Sequence, residues 1–212
     1  MDQKLVAVID YGMGNLRSVS QAAEHVASDN TRILVTSNPV DIEAADAIIF
    51  PGQGAAKACM SALHDTGMIH AIQNSAQEKP FLGICMGLQI LMTHSDENNG
   101  INCMDVIPGN VKHFEFDESS SLKVPHMGWN QIHQTHEHAL WHNIPQDSRF
   151  YFVHSYFVEP ENKALIAGTT THGTTFSSVL SHNNLFAIQA HPEKSADHGL
   201  QLFKNFLQWN GQ

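Results

Sequence analysis

A chain of 212 residues, 42% hydrophobic and 15% charged, has the composition of one large globular domain and not of a disordered protein. Its formal charge of −10 and pI near 5.8, with no Lys/Arg cluster, argue against a nucleic-acid partner. Three cysteines (Cys59, Cys85 and Cys103) without disulfide-rich spacing suit a cytoplasmic protein, and no apolar run approaches a signal or membrane-spanning segment.

In chain order, residues 5–9 read as a buried strand and 15–27 as a helix, with Leu16, Val19, Ala23 and Val26 on one stripe. Strands are expected at 32–35, 47–50 and 81–85, and a helix over 55–76 broken near Thr66-Gly67. Residues 88–92 continue the last of these strands as a helix. Short apolar strands separated by helices predict a parallel sheet covered on both faces. The second half alternates instead, with strands expected at 111–116, 149–158, 165–170, 174–180 and 185–189, a loop at 119–121, and a final helix over 195–209. These add antiparallel strands to the parallel core. In such sheets ligands bind beyond the carboxyl ends of the strands, where the turns at 10–15, 51–55 and 85–86 should converge.

The run Gly83-Ile84-Cys85-Met86-Gly87 is the most informative of these turns. Glycines two residues either side of a cysteine allow a sharp strand-to-helix turn that lifts the thiol to its tip. A helix N-terminus there favours the thiolate. A thiol nucleophile needs a base and an orienting acid. Gln189-Ala190-His191-Pro192-Glu193 offers both, because residues two apart in an extended segment share a side. The order Cys85, His191, Glu193 differs from the nucleophile-acid-base order of α/β-hydrolases. An oxyanion would take one hydrogen bond from the Met86 N–H and a second from the loop beginning at Gly52. Taken singly, each motif fits a plain alternative as well: a buried core cysteine, a strand end, a turn.

Together these residues resemble class I glutamine amidotransferases. Asp10-Tyr11-Gly12-Met13-Gly14-Asn15-Leu16, Val124-Pro125-His126-Met127-Gly128-Trp129-Asn130 and Tyr151-Phe152-Val153-His154-Ser155-Tyr156 are similar to the branch that supplies ammonia to imidazole glycerol phosphate synthases. Leu88, where anthranilate and GMP branches tend to carry histidine, agrees. The resemblance implies an α/β, flavodoxin-like fold in a single domain spanning 1–212, with a mostly parallel sheet flanked by helices and added antiparallel strands. It implies that Cys85 attacks L-glutamine, that a γ-glutamyl thioester is hydrolysed, and that Gln89, Ser155 and Tyr156 hold the substrate. It implies no cofactor and no metal. Ammonia would pass to a (β/α)8-barrel cyclase subunit in a heterodimer serving histidine biosynthesis, with Asn15, Trp129, Asn130 and Lys194 at the interface. Trp129 fits a core position equally well, and Lys194 a solvated surface. Gln53 departs from the apolar residue common in the family, which bears on how readily that peptide flips during activation.

A paralogous subunit feeding another acceptor, and a catalytically silent interaction protein of the same fold, are the competing readings. His133, His136, His138 and His142 crowd one polar stretch, but only Glu137 accompanies them, so a loop and short helix are expected rather than a zinc site. Gly12-Met13-Gly14 lacks the third glycine of a dinucleotide loop, since Arg17 stands there.

Overall fold

The computed structural model describes residues 3–117 and 122–212, so the loop expected at 119–121 lies outside the described residues. Five parallel strands form the centre: β1 (Lys4–Ile9), β2 (Thr31–Thr36), β3 (Ala47–Gly52), β4 (Phe81–Cys85) and β14 (Leu185–Ile188), in the order β2-β1-β3-β4-β14. Their alternation feeds two cores. Ala7, Ile9, Ile48 and Phe50 point to one face, and Val6, Val8, Ala47 and Ile49 to the other. The first face is covered by α3 (Ala56–Thr66) and α4 (Ile69–Glu78) through Cys59, Leu63 and Ile72. The second is covered by α1 (Leu16–Val26) and α6 (Ala196–Gln208) through Val19, Leu202, Phe203 and Phe206. Each of these fully buried phenylalanines contributes about 1.5–3 kcal/mol relative to exposure.

The break expected near Thr66-Gly67 is where α3 ends, with Gly67 at φ 68° as a left-handed C-cap. A short α2 (Pro39–Ala44), capped by the Asn38 side chain, lies between β2 and β3.

Several expectations need correction beyond β4. The helix placed at 88–92 is a single turn, α5 (Met86–Gln89), after which the chain enters β5 (Met92–Ser95) and β6 (Ile101–Asn102). Leu88, Ile90, Leu91 and Met92 are all buried, so no amphipathic period separates a helix from a buried strand here. The strand expected at 111–116 begins earlier, as β7 (Ile107–His113), because Ile107, Gly109 and Val111 alternate inward. The single strand at 149–158 is two. β10 (Arg149–His154) pairs with β8 (His126–Gln131) in a separate two-stranded sheet, and after Ser155 the chain joins the main sheet as β11 (Tyr156–Pro160). β9 (His133–Gln134), β12 (Ile166–His172) and β13 (Thr174–His182) complete the antiparallel part, and the main sheet continues from β14 through β13, β11, β7 and β5.

The glycines of the Cys85 run serve close packing. A Cβ on Gly87 would sit 1.9 Å from the Phe50 carbonyl oxygen, and one on Gly83 would sit 3.0 Å from both the Ala187 Cβ and the Gly87 carbonyl oxygen. Backbone cannot yield as a flexible side chain does. Gly87→Ala is therefore expected to destabilise the fold by about 3 kcal/mol or more. Urea unfolding measures this, and an unchanged midpoint would refute the packing of the turn.

Candidate active site

The carboxyl ends of β1, β3, β4 and β14 lead to one side of the sheet, where a cavity of about 460 Å³ opens. Cys85, Gln53, Gln89, Tyr156, His191 and Lys194 are among the residues lining it. Cys85 ends β4 at φ 55° and ψ −108°, outside the regions L-residues favour; it is 6% exposed and lines this cavity. Such a backbone costs on the order of 1–3 kcal/mol and persists only because the surrounding packing enforces it.

His191 follows β14, its backbone N–H held by the Tyr151 carbonyl and its own carbonyl accepting from Ser195 Oγ. Its Nδ1 lies 2.8 Å from Glu193 Oε1, with side-chain exposures of only 2% and 1%. The two come together through a 3₁₀ turn, Pro192–Lys194, and not through the extended geometry expected of residues two apart. His191 Nε2 and Glu193 Oε2 are buried without a hydrogen-bond partner. Burial alone would lower the imidazole pKa. The Cys85 sulfur and the Glu193 carboxylate outweigh it and push the ring up to about 10.

This shift has a consequence for stability. A ring whose pKa rises from 6.5 to about 10 on folding contributes stability that is complete below pH 6.5 and is lost as pH climbs through 10. Cys85→Ala removes one of the two groups that raise it. Wild type is therefore expected to lose more unfolding free energy than Cys85→Ala between pH 7 and 10. Burial pushes Cys59 and Cys103 up to about 11, and both thiols are present in both proteins, so the difference between the two curves reports the removal of the sulfur at position 85. Chemical denaturation at a series of pH values gives the result, and parallel curves would contradict the coupling.

The other expected residues are distributed as follows. Gly52 closes β3 directly beside Cys85 in the parallel register. A Cβ there would meet Tyr11 Oη at 2.5 Å and Met86 Cβ at 2.8 Å, so only glycine fits. Met86 opens α5, where its N–H has no intrahelical acceptor. The carbonyl of Gln53 accepts from Cys59 Sγ at 3.4 Å, which ties the loop after Gly52 to α3. Gln89 is buried on the cavity wall; its Nε2 donates to the Tyr156 carbonyl and to Gln189 Oε1, both at 3.0 Å, and its Oε1 is unpartnered. Ser155 lines the same cavity at the break between β10 and β11. Lys194 borders the cavity with its Nζ 5.9 Å above the Tyr151 ring, and that ring packs edge-on against Trp129. Trp129 is 46% exposed and its neighbour Met127 67%, so β8 presents both to solvent; the core alternative for Trp129 is excluded. Asn130 is half-buried on the opposite face of β8 from Trp129. Asn15 is half-buried at the start of α1, in the loop whose Gly14 packs against Gly52.

The histidine-rich stretch disperses. His133 Nδ1 lies 3.0 Å from Asp147, His138 packs on Phe186 and Trp209, and the segment carries only β9 and a 3₁₀ turn, Ala139–Trp141. Sequence reasoning missed Gln189, whose Nε2 lies 3.6 Å from Cys85 Sγ. The alternation applied to His191 and Glu193 points to it, since it stands two residues before His191. It also missed His154, which joins Tyr156 on the cavity wall.

The sequence profile of the class-I glutamine amidotransferase family matches residues 7–209. The chain is 69% identical to an imidazole glycerol phosphate synthase subunit HisH of Hydrogenovibrio crunogenus, covering 100% of this chain and 99% of that one. It is 54% identical to the protein of the same description in Nitrosococcus oceani, over 97% and 98% of the two chains. Among solved structures it superposes on PurLQS from Thermotoga maritima with a TM-score of 0.69 at 16% identity, over 97% and 98% of the chains, a likeness of fold. With the strained cysteine, the paired imidazole and carboxylate, and a family profile spanning nearly the whole length, the chain belongs to the class-I glutamine amidotransferases.

Proposed function

We propose that this chain is the glutaminase subunit of an imidazole glycerol phosphate synthase, releasing ammonia from glutamine for a cyclase subunit in histidine biosynthesis. The observation that carries the reading is the common cavity of Cys85, His191 and Gln89 beside the exposed Trp129 strand, in a chain matched end to end by HisH relatives.

Glutamine enters the cavity with its side-chain carbonyl toward Met86. The Cys85 thiolate attacks the amide carbon, and the electron pair of the C=O moves onto oxygen. That oxyanion takes hydrogen bonds from the Met86 N–H and from the loop at Gly52. His191 gives its proton to the departing nitrogen, the C–N bond breaks, and ammonia leaves a γ-glutamyl thioester on Cys85. Water then attacks the thioester with His191 as base; glutamate departs and the thiolate returns. Glu193 keeps the Nδ1 proton on the ring throughout, so that Nε2 is the working nitrogen. The bare Gln89 Oε1 and the Ser155-Tyr156 segment hold the substrate's polar end.

Ammonia released into water protonates and ceases to be a nucleophile, so a tight channel into a docked partner fits the chemistry. The partner read here is a (β/α)8-barrel cyclase seated on Trp129, Asn130, Lys194 and Asn15. The protein works in the cytoplasm, and no described helix is long and apolar enough to cross a membrane. Glutamate release by the isolated subunit is expected to be slow, and to rise about 5- to 150-fold when the cyclase carrying its ammonia acceptor docks. A glutaminase assay with and without the cyclase tests this. Full activity of the lone subunit would remove the coupling, and no activity in either state would remove the enzyme.

A further inference from the structure

Two buried imidazoles lie outside the steps above. His126 on β8 and His154 at the end of β10 face each other across the two-stranded sheet, with Nδ1 of His126 2.9 Å from Nε2 of His154. His154 Nδ1 lies 2.8 Å from the Tyr156 carbonyl oxygen, and Asn130 Nδ2 lies 3.1 Å from His126 Nε2.

These contacts have a direction. A carbonyl can only accept, so His154 Nδ1 carries a proton. Burial lowers the pKa of both rings, to about 4 for His126 and about 3 for His154, so both are neutral at pH 7. A neutral His154 protonated on Nδ1 accepts at Nε2, which requires a proton on His126 Nδ1. His126 Nε2 is then an acceptor, matching the Asn130 amide N–H opposite it. Every partner in the chain is satisfied by one arrangement of protons.

A second chain of hydrogen bonds meets the first at the Tyr156 carbonyl and runs from there to the sulfur. The Tyr156 carbonyl accepts from Gln89 Nε2 as well as from His154. Gln89 Nε2 also faces Gln189 Oε1, which turns Gln189 Nε2 toward Cys85 Sγ. Two acceptors at Gln89 Nε2 forbid a flip of that amide and leave its Oε1 bare in the cavity. The chain begins on the strand that exposes Trp129.

We propose that His126 and His154 are positioning residues that carry the state of the docking strand β8, through Tyr156, Gln89 and Gln189, to the Cys85 thiol. The coupling half of this rests on the proposed function, in which a cyclase seats on β8. The Tyr156 carbonyl accepts from His154 on one side and from Gln89 on the other, so the way His126 holds His154 sets the position of the carbonyl that anchors the Gln89 amide.

Two substitutions at one position separate this role from plain packing. His126→Phe keeps the ring that stacks on His172 and Phe152 but can neither donate nor accept. His126→Gln loses the ring and keeps a donor and an acceptor. In the complex with the cyclase carrying its ammonia acceptor, His126→Phe is expected to lower stimulated glutaminase kcat by about tenfold or more, and His126→Gln to stay within about threefold of wild type. Retention of the rate by the phenylalanine variant, or equal loss in both, would overturn the relay. A wild-type complex without glutaminase would instead overturn the function on which it rests. Nitrogen-15 NMR of the wild-type subunit gives a readout that needs no variant: both rings must be protonated on Nδ1, and an Nε2–H form of His154 would end the proposal.

Discussion

Cys85→Ala is expected to abolish glutamine hydrolysis, lowering kcat by about 10⁴-fold or more, with or without the cyclase. The loss should be this large because no other group can take over. Cys59 is buried and its sulfur is spent on the Gln53 carbonyl, while Cys103 lines no part of the cavity; burial pushes both thiols up to about 11, so neither is a thiolate at pH 7. Without sulfur at position 85 there is no covalent intermediate, and neither the oxyanion donors nor His191 has anything to act on. Glutamine binding should survive, since Gln89, Ser155 and Tyr156 are untouched. The decisive measurements are glutamate release and trapping of the acyl-enzyme by mass spectrometry. A second readout is alkylation at pH 7, where iodoacetamide should label Cys85 well before the other two. An alanine variant that still turns over glutamine would remove the covalent route altogether.

The parallel half of the fold was legible because its strands are short, mostly apolar and punctuated by Pro51-Gly52 and Gly67. The same signal failed after Cys85. There the chain from Met86 to Met92 is buried from end to end, and a buried helix and a buried strand leave the same hydropathy trace. β8 was missed for a different reason. Its outer face carries Met127 and Trp129 and its inner face carries His126 and Asn130, so the alternation of apolar and polar residues runs backwards. A strand that shows hydrophobics to solvent reads as an interface only once its burial is known.

At the site, Cys85, His191 and Glu193 were legible from motif and order. Gln189 and His154 were not, because Gln189 directly follows β14 and His154 ends β10, and both strands also make sense as plain core. Their meaning lies in hydrogen-bond partners far away in sequence: Gln189 reaches Gln89, and His154 reaches His126. The pairing of His191 with Glu193 was anticipated for the wrong geometric cause. Pro192 cannot donate a backbone hydrogen bond and begins a tight turn, and that turn brings the carboxylate round to Nδ1.

That turn makes Glu193→Gln the sharpest test of how the imidazole is held. The carboxylate can only accept, so it fixes the proton on His191 Nδ1 and leaves Nε2 to serve the sulfur. A glutamine amide in the same space has two ways to sit. With its nitrogen toward the ring it forces the proton onto Nε2, the wrong tautomer for a base. With its oxygen toward the ring it keeps the tautomer but no longer neutralises an imidazolium sealed from water. Either way kcat is expected to fall by about 10³- to 10⁴-fold, with a much smaller change in KM. The pH dependence should change as well. Burial, now opposed by the Cys85 sulfur alone, pulls the ring's pKa down from about 10, so the imidazolium that must protonate the leaving nitrogen is lost at lower pH. The alkaline limb of the kcat profile in the cyclase complex should therefore move to lower pH in the variant. If the variant keeps the wild-type limb and rate, Glu193 neither charges nor orients the ring, and His191 must owe both to the sulfur.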